Sequence, residues 1–257
     1  MGLGNVKTQI TTETKWDTLD CPVCDGSQFT KLFEKQGEPF ARCDHCGLVM
    51  INPRPSYDNV IETYDEDYST FYIKKADKKI QRAKRWVRSV QKYGVKSGRW
   101  LDVGCSAGFI VKAVEELGFE AYGVDVEKYG VEFAKSNLGL KNVVHGMLEE
   151  QKYPDGYFDV ISAYDVIEHV PDLNSFIAEL KRILSPNGVI DIRTPDAGHW
   201  AVPRKMENWN AIIPSEHLYY FDKRTLPLIF ARHDLKLVKH MFNFKPTLKM
   251  YFGFSGK

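Results

Sequence analysis

No apolar run in this 257-residue chain approaches the roughly 20 residues that a bilayer-spanning helix requires. The amino-terminal stretch MGLGNVKTQITTETK also lacks the apolar centre of a signal peptide. Charge of one sign is missing too: 35 Lys and Arg face 34 Asp and Glu, for a formal net charge of +1. That balance provides no overall basic field for nucleic acid or for an acidic membrane surface. Cysteine is scarce, and five is an awkward count for a disulfide framework. These absences point to a cytoplasmic protein that is not held to a membrane. What is present is an ordinary globular balance, 43% hydrophobic and 27% charged, in a chain long enough for one α/β domain and a small appendage.

Four of the cysteines form two C-x-x-C pairs, Cys21/Cys24 and Cys43/Cys46, with 18 residues between the pairs. Each pair can fold as a tight knuckle with backbone N–H groups directed at the thiolates, and two knuckles complete a tetrahedral four-sulfur site. The spacing predicts a structural zinc ribbon over 17–55, after an amino-terminal tail 1–16, with FTKLFEK and PFARC as short strands. Four thiolates leave no open coordination position, so this zinc is expected to hold a fold and do no chemistry. A redox role is the alternative, and the duplicated pair counts against it. His45, inside the second knuckle, could substitute as a ligand but is expected at the surface. Cys105, the fifth cysteine, sits in a glycine-rich turn and reads as a packed thiol.

Residues 56–97 form a connector. Proline-rich INPRPSYDN leads into it, followed by tyrosine-rich YDEDYSTFY and a Lys/Arg-rich stretch with Ile80, Ala83, Val87 and Val90 at helical spacing. That spacing predicts an amphipathic helix covering the main domain, its basic face solvated or, alternatively, in contact with RNA.

Over 98–257 strands alternate with helices. GRWLDVGCSAGF is an apolar strand, a glycine turn and a helix start near Phe109, and EAYGVDVEKYGVEFAKSN repeats strand, acid, helix. NVVHG, YFDVISAY and GVIDIRT supply three further strands, and LKLVKHMFNF and LKMYFGFSG read as an antiparallel closing pair. This is the pattern of a mostly parallel α/β sheet with right-handed crossovers, whose ligands bind at the carboxyl ends of the strands. The turn from Asp102 to Gly108 is acidic where a dinucleotide fold would seat a pyrophosphate, and Asp125 ends the next strand. An adenosine ligand carrying a cationic amino acid in place of phosphates suits both acids.

LDVGCSAGF, GVDVE, HGMLEE, YFDVISAYDVIEHVPD and LSPNGVIDIRTP, in this order, resemble the motifs of class I S-adenosylmethionine-dependent methyltransferases with a Rossmann-like seven-stranded sheet. The front half resembles a subgroup with an amino-terminal zinc ribbon whose members often act on sugars and other small molecules. Carried over residue by residue, the resemblance implies that Asp102, Gly104 and Gly108 line the methionine end of the cofactor. It implies that Asp125 binds the ribose and that Met147 and Leu148 flank the adenine, with Cys105, Val126 and Tyr164 in the same pocket. Ser106 stands where a middle glycine is common, and Met147 stands where many members carry an acid, so adenine recognition falls more on backbone atoms.

After the fifth strand comes a long, aromatic, proline-bearing segment, and residues 196–222 are expected to cap the substrate. DVIEHVPD follows the fourth strand, where the transferable methyl would point. On a first helical turn Asp165, Glu168 and His169 would share a face, and His217 in the cap would fold over the same opening. Two carboxylates and two imidazoles make a candidate divalent-metal site. The pattern also resembles the metal-binding E-x-x-E-H arrangement of small-RNA 2′-O-methyltransferases and an acid–His loop of ubiquinone-pathway O-methyltransferases, with Asp165 replacing the first Glu. A metal-free catalytic or substrate-contacting histidine, or a purely structural cluster, remain as alternatives.

The expected function is methyl transfer from S-adenosylmethionine to a hydroxyl of a small acceptor such as a sugar or sugar nucleotide. An RNA methyltransferase and a non-catalytic cofactor-binding module are the competing readings.

Overall fold

The computed structural model describes residues 15–56 and 76–254, so most of the amino-terminal tail and the tyrosine-rich stretch lie outside the described residues. The cysteine-bearing segment forms β1 (Trp16–Asp17), β2 (Phe29–Lys35), β3 (Glu38–Cys43), β4 (Val49–Ile51) and β5 (Arg54–Pro55). Gln36 and Gly37 join β2 to β3 at φ 53° and 83°, the left-handed pair that a two-residue hairpin turn requires. β3 then pairs with β4 across the second knuckle.

α1 (Ala76–Gln91) buries Ile80, Ala83, Val87 and Val90, as the helical spacing predicts. This stripe packs with Trp100, Val114 and Phe119, and full burial of each Val or Ile is worth about 1.5–3 kcal/mol. The main unit continues with β6 (Arg99–Val103), α2 (Phe109–Glu116), β7 (Glu120–Asp125), α3 (Lys128–Leu138) and β8 (Val143–His145). Then come β9 (Phe158–Tyr164), α4 (Leu173–Ile183), β10 (Leu184–Pro195), β11 (Tyr219–Tyr220), α5 (Thr225–Arg232), β12 (Leu235–His240) and β13 (Thr247–Phe254).

Seven strands lie side by side in the order β12–β13–β10–β9–β6–β7–β8. β6 to β10 pair in parallel, and β13 runs antiparallel to both β10 and β12. β9 reads as a nearly continuous apolar run because helices cover both faces of a parallel sheet. Strand order reverses between β6 and β9. The crevice therefore opens at their carboxyl ends, where Asp102–Gly104 and Asp165–His169 leave the sheet.

One pairing is absent from the sequence-based expectation. β11, within the cap, adds to the cysteine-bearing sheet in the order β11–β4–β3–β2, with Tyr219 opposite Met50 and Tyr220 opposite Val49. Two adjacent tyrosines suit a strand, but nothing local specifies a partner so distant in the chain. Among the described residues, no helix is long and apolar enough to cross a membrane.

Candidate functional site

On the β6 side, the turn after Val103 passes through Gly104 and Gly108 at φ 71° and 73°. A Cβ on Gly104 would lie 2.3 Å from Val166, and one on Gly108 would lie 2.8 Å from the Ala134 side chain. Both glycines thus let the turn sit tightly between the β9 loop and α3. Asp102 is buried beneath it: Oδ1 accepts from the Ser162 hydroxyl at 2.6 Å, and Oδ2 has no partner. Burial pushes this carboxyl up to about 7, against the Ser162 hydrogen bond. A buried acceptor without a donor is the arrangement that a cationic ligand satisfies.

Asp125 accepts the Ser106 N–H on Oδ2 at 2.6 Å and the Glu127 N–H on Oδ1 at 2.7 Å. It clamps the glycine turn to β7 while each oxygen keeps a lone pair for a ligand hydroxyl. Glu127, which sequence reasoning passed over, caps α3 by accepting the Gly130 N–H at 2.9 Å and leaves Oε2 buried without a partner. Three carboxylates around one turn fit the positively charged S-adenosylmethionine and not a pyrophosphate.

The Cys105 thiol packs with Val111, Val131 and Ala134 in the core, in line with its reading as a packed thiol. One expectation on this side needs correction. Tyr164 is buried with its hydroxyl donating to Asp191, and its ring meets Trp86 edge-on at 5.5 Å, so it belongs to the interior packing. The Met147 N–H donates to Glu150 at 2.9 Å and its carbonyl accepts from Gln151 at 2.9 Å. These two bonds tie the Met147 backbone into the following turn. Val126 and Met147 expose their side chains, whereas Leu148 is buried.

DVIEHVPD does not begin a helix. Asp165 adopts φ 57°, its N–H donates to the Arg193 carbonyl at 2.7 Å, and its carboxylate pairs with the Arg193 guanidinium. A turn follows, closed by the His169 N–H on the Val166 carbonyl at 2.8 Å. α4 starts at Leu173, where Asp172 accepts the Ser175 N–H at 3.0 Å as N-cap. The shared helical face assumed for Asp165, Glu168 and His169 therefore does not exist. Asp165 is drawn to its cation on β10 and is not a member of the cluster.

Glu168, His169 and His217 do converge, each offering one ligand atom, with all of these atoms within 4.8 Å of one another. The two imidazoles meet edge to face with centroids 4.6 Å apart. Glu168 Oε2 accepts from the Thr194 hydroxyl at 2.9 Å, while Glu168 Oε1 and His217 Nδ1 are buried without hydrogen-bond partners. Burial, reinforced by the Asp165 charge, pushes Glu168 up to about 8. Burial, with His169 adding, pushes His217 down to about 3, so its ring is neutral near pH 7. Burial lowers His169 as well. Thr194 was not singled out from sequence; it lies one residue after Arg193 on β10, and no motif marks it.

The thiols of Cys21, Cys24, Cys43 and Cys46 also gather within 4.8 Å, with Cys21–Cys46 and Cys24–Cys43 sulfurs 3.5 Å apart and none in a disulfide. Backbone N–H groups of Val23, His45 and Leu48 are directed at Cys21, Cys43 and Cys46. His45 itself is exposed. The donor set suits one tetrahedral ion with no open position.

With this geometry in place, likeness to known proteins is informative. Residues 72–240 match the family model described as methyltransferase domain, which is well over half of the chain. The chain belongs to that family. A ubiquinone biosynthesis O-methyltransferase of Bradyrhizobium diazoefficiens is 27% identical over 162 residues, covering 55% of this chain and 64% of that protein. One from Pelagibacter ubique is 32% identical over 107 residues, covering 39% of this chain and 43% of that protein. This chain thus spans less than two thirds of the length of either. Among solved structures, a SAM-dependent methyltransferase from Archaeoglobus fulgidus superposes with TM-score 0.55 at 20% identity, covering 73% of this chain and 99% of that one. At that identity the match speaks for the fold.

Proposed function

We propose that the methyltransferase domain transfers a methyl group to a hydroxyl of a small, oxygen-rich acceptor, a sugar or sugar nucleotide being the favoured class. In this reading Glu168, His169 and His217 hold a divalent cation beside the acceptor, and the four cysteines hold a structural zinc. The observation that carries it is the convergence of Glu168, His169 and His217 with two buried acceptor atoms, Glu168 Oε1 and His217 Nδ1, left without partners. Relatives named ubiquinone biosynthesis O-methyltransferases support oxygen as the accepting atom.

S-adenosylmethionine supplies an electrophilic methyl on a cationic sulfonium. Asp102 and Asp125, at the carboxyl ends of β6 and β7, would hold it next to the β9 loop. A sugar hydroxyl is a poor nucleophile near neutral pH, and a cation beside it lowers its pKa. Neutral His169 and His217 can serve as ligands, and His169, not the more strongly depressed His217, can take the departing proton. An RNA acceptor is less well supported, because the formal net charge is only +1 and part of the basic set on α1 is engaged within the protein, although Lys78, Arg85 and Arg88 stay exposed. Lys84 pairs with Glu116 at 2.6 Å, Lys79 sits over the Phe109 ring and Arg82 over Trp86.

The test is release of S-adenosylhomocysteine with a panel of sugars, sugar nucleotides and catechols, before and after mild chelation, with zinc content followed in parallel. Turnover that chelation stops and magnesium or manganese restores, with zinc retained, is the expected result. Turnover that survives chelation but is lost in His169→Ala would make the histidine a metal-free base. No turnover on any acceptor, despite cofactor binding, would favour a binding module.

A further inference from the structure

The His217 ring bonds the Ala211 backbone carbonyl, and the His217 N–H donates to the Ile213 carbonyl at 3.0 Å, both within the cap. Where the cap itself sits is set by the residues flanking His217, which are tied to the cysteine-bearing unit. On one side, Ser215 adopts φ 63°, and its N–H donates to Glu38 Oε2 at 2.7 Å. The Ser215 hydroxyl donates to the other oxygen of the same carboxylate. Glu38 begins β3 and is 1% exposed, with each of its carboxylate oxygens accepting from Ser215. On the other side, the Leu218 carbonyl accepts the Ile51 N–H at 3.1 Å, and the Leu218 N–H donates to the Glu168 carbonyl at 2.7 Å. Tyr219 and Tyr220 then pair with Met50 and Val49. Lys35 adds a third tie, donating to the Ile212 carbonyl at 2.9 Å and the Glu207 carbonyl at 3.2 Å.

We infer that Glu38 is a positioning residue for the acceptor-side cluster: by gripping Ser215 in its left-handed conformation it sets His217 against Glu168 and His169. A carboxylate is otherwise costly to bury, and two hydrogen bonds to a single residue make its position specific as well as tolerable. A non-glycine residue at positive φ is held there only where its surroundings over-determine it. Ser215, two residues before His217 in the chain, is thus fixed by the cysteine-bearing unit. The small cysteine-bearing unit then builds one wall of the acceptor site and is more than an appendage. This inference rests on the proposed role of the cluster for its functional meaning, though not for its geometry.

The experiment compares full-length Glu38→Ala, Glu38→Gln and Ser215→Ala with the parent protein by imidazole NMR and amide hydrogen exchange. Zinc content and S-adenosylmethionine affinity serve as controls. In Glu38→Ala the His217 and His169 ring signals shift, and amides of 215–218 exchange about tenfold faster or more. Glu38→Gln, which keeps one acceptor, retains part of the parent pattern. Ser215→Ala, which keeps the N–H donor, is likewise intermediate. Zinc content and cofactor affinity stay within about twofold of the parent, as expected for sites without shared partners. Ring signals unmoved in all three variants would overturn the inference, as would equal disturbance of the cofactor turn. If Glu38→Ala does not fold, the two milder variants decide. Manganese titration of the parent tests the cluster as a metal site separately: failure to bind there would remove that reading and leave the positioning result standing.

Discussion

On the cofactor side, among the described residues, Asp125 bonds Ser106 and Glu127, and Asp102 bonds Ser162 on the adjacent strand. On the acceptor side, Glu168 depends on Thr194 of β10, and its carbonyl is bound by Leu218 of the cap. His217 depends in turn on Glu38 and Ile51 of the cysteine-bearing sheet. The first half is built from neighbouring turns of one sheet, whereas the second is assembled from three separate parts of the chain. The comparison teaches that cofactor binding can survive damage that dismantles the acceptor site, and each prediction below sets the two halves against each other.

The largest separation should follow loss of the zinc proposed for Cys21, Cys24, Cys43 and Cys46. A structural zinc of this kind contributes on the order of 10 kcal/mol to the fold around it. Cys43→Ser is expected to release the metal, free the cap and abolish methyl transfer, while calorimetry still finds S-adenosylmethionine bound. Equal loss of both would mean that the two halves are one unit. Next in size, His217→Ala or Glu168→Gln should slow turnover by ~10²-fold or more with cofactor affinity unchanged. Steady-state kinetics beside a binding titration will read this.

Asp125→Ala should do the reverse, weakening S-adenosylmethionine binding by about 1.5–3 kcal/mol, the scale of a hydrogen bond to a charged group. The cap should remain protected from hydrogen exchange in that variant.

The last contrast concerns Asp102, whose carboxyl is pushed up by burial from its ordinary value to about 7. A carboxyl raised on folding contributes stability that is present below its unfolded pKa and lost as pH rises through the folded one. Thermal stability of the cofactor-free protein should therefore decline from this group between about pH 4 and pH 7, and Asp102→Asn should flatten that decline. A cationic cofactor favours the ionised form, so its binding near pH 6 should release protons, measurable by calorimetry in two buffers. Proton uptake would contradict the placement of Asp102.

The same contrast explains what could be read from sequence. The glycine turn, Asp125, the alternation of strands and helices and the buried stripe of α1 are local patterns, and the sheet follows from them. The two C-x-x-C pairs are local as well, and their thiols come together. Asp165 was misplaced because helical spacing was assumed for a segment that is a turn, and because Arg193, the residue that attracts it, lies on another strand. Tyr164 was misplaced because the acceptor of its hydroxyl, Asp191, lies on the neighbouring strand β10, where no local pattern reveals it. Glu38 and β11 carry no local signal, because a buried carboxylate and its serine partner are recognised only once the chain has folded.

The most direct test is anomalous diffraction from crystals of the zinc-loaded protein grown with manganese and S-adenosylhomocysteine. The account predicts a zinc peak among the four cysteines and a separate manganese peak bonded to Glu168, His169 and His217, lost in His217→Ala. A single metal among the cysteines, with Glu168 and the two histidines left bare under saturating manganese, would contradict it.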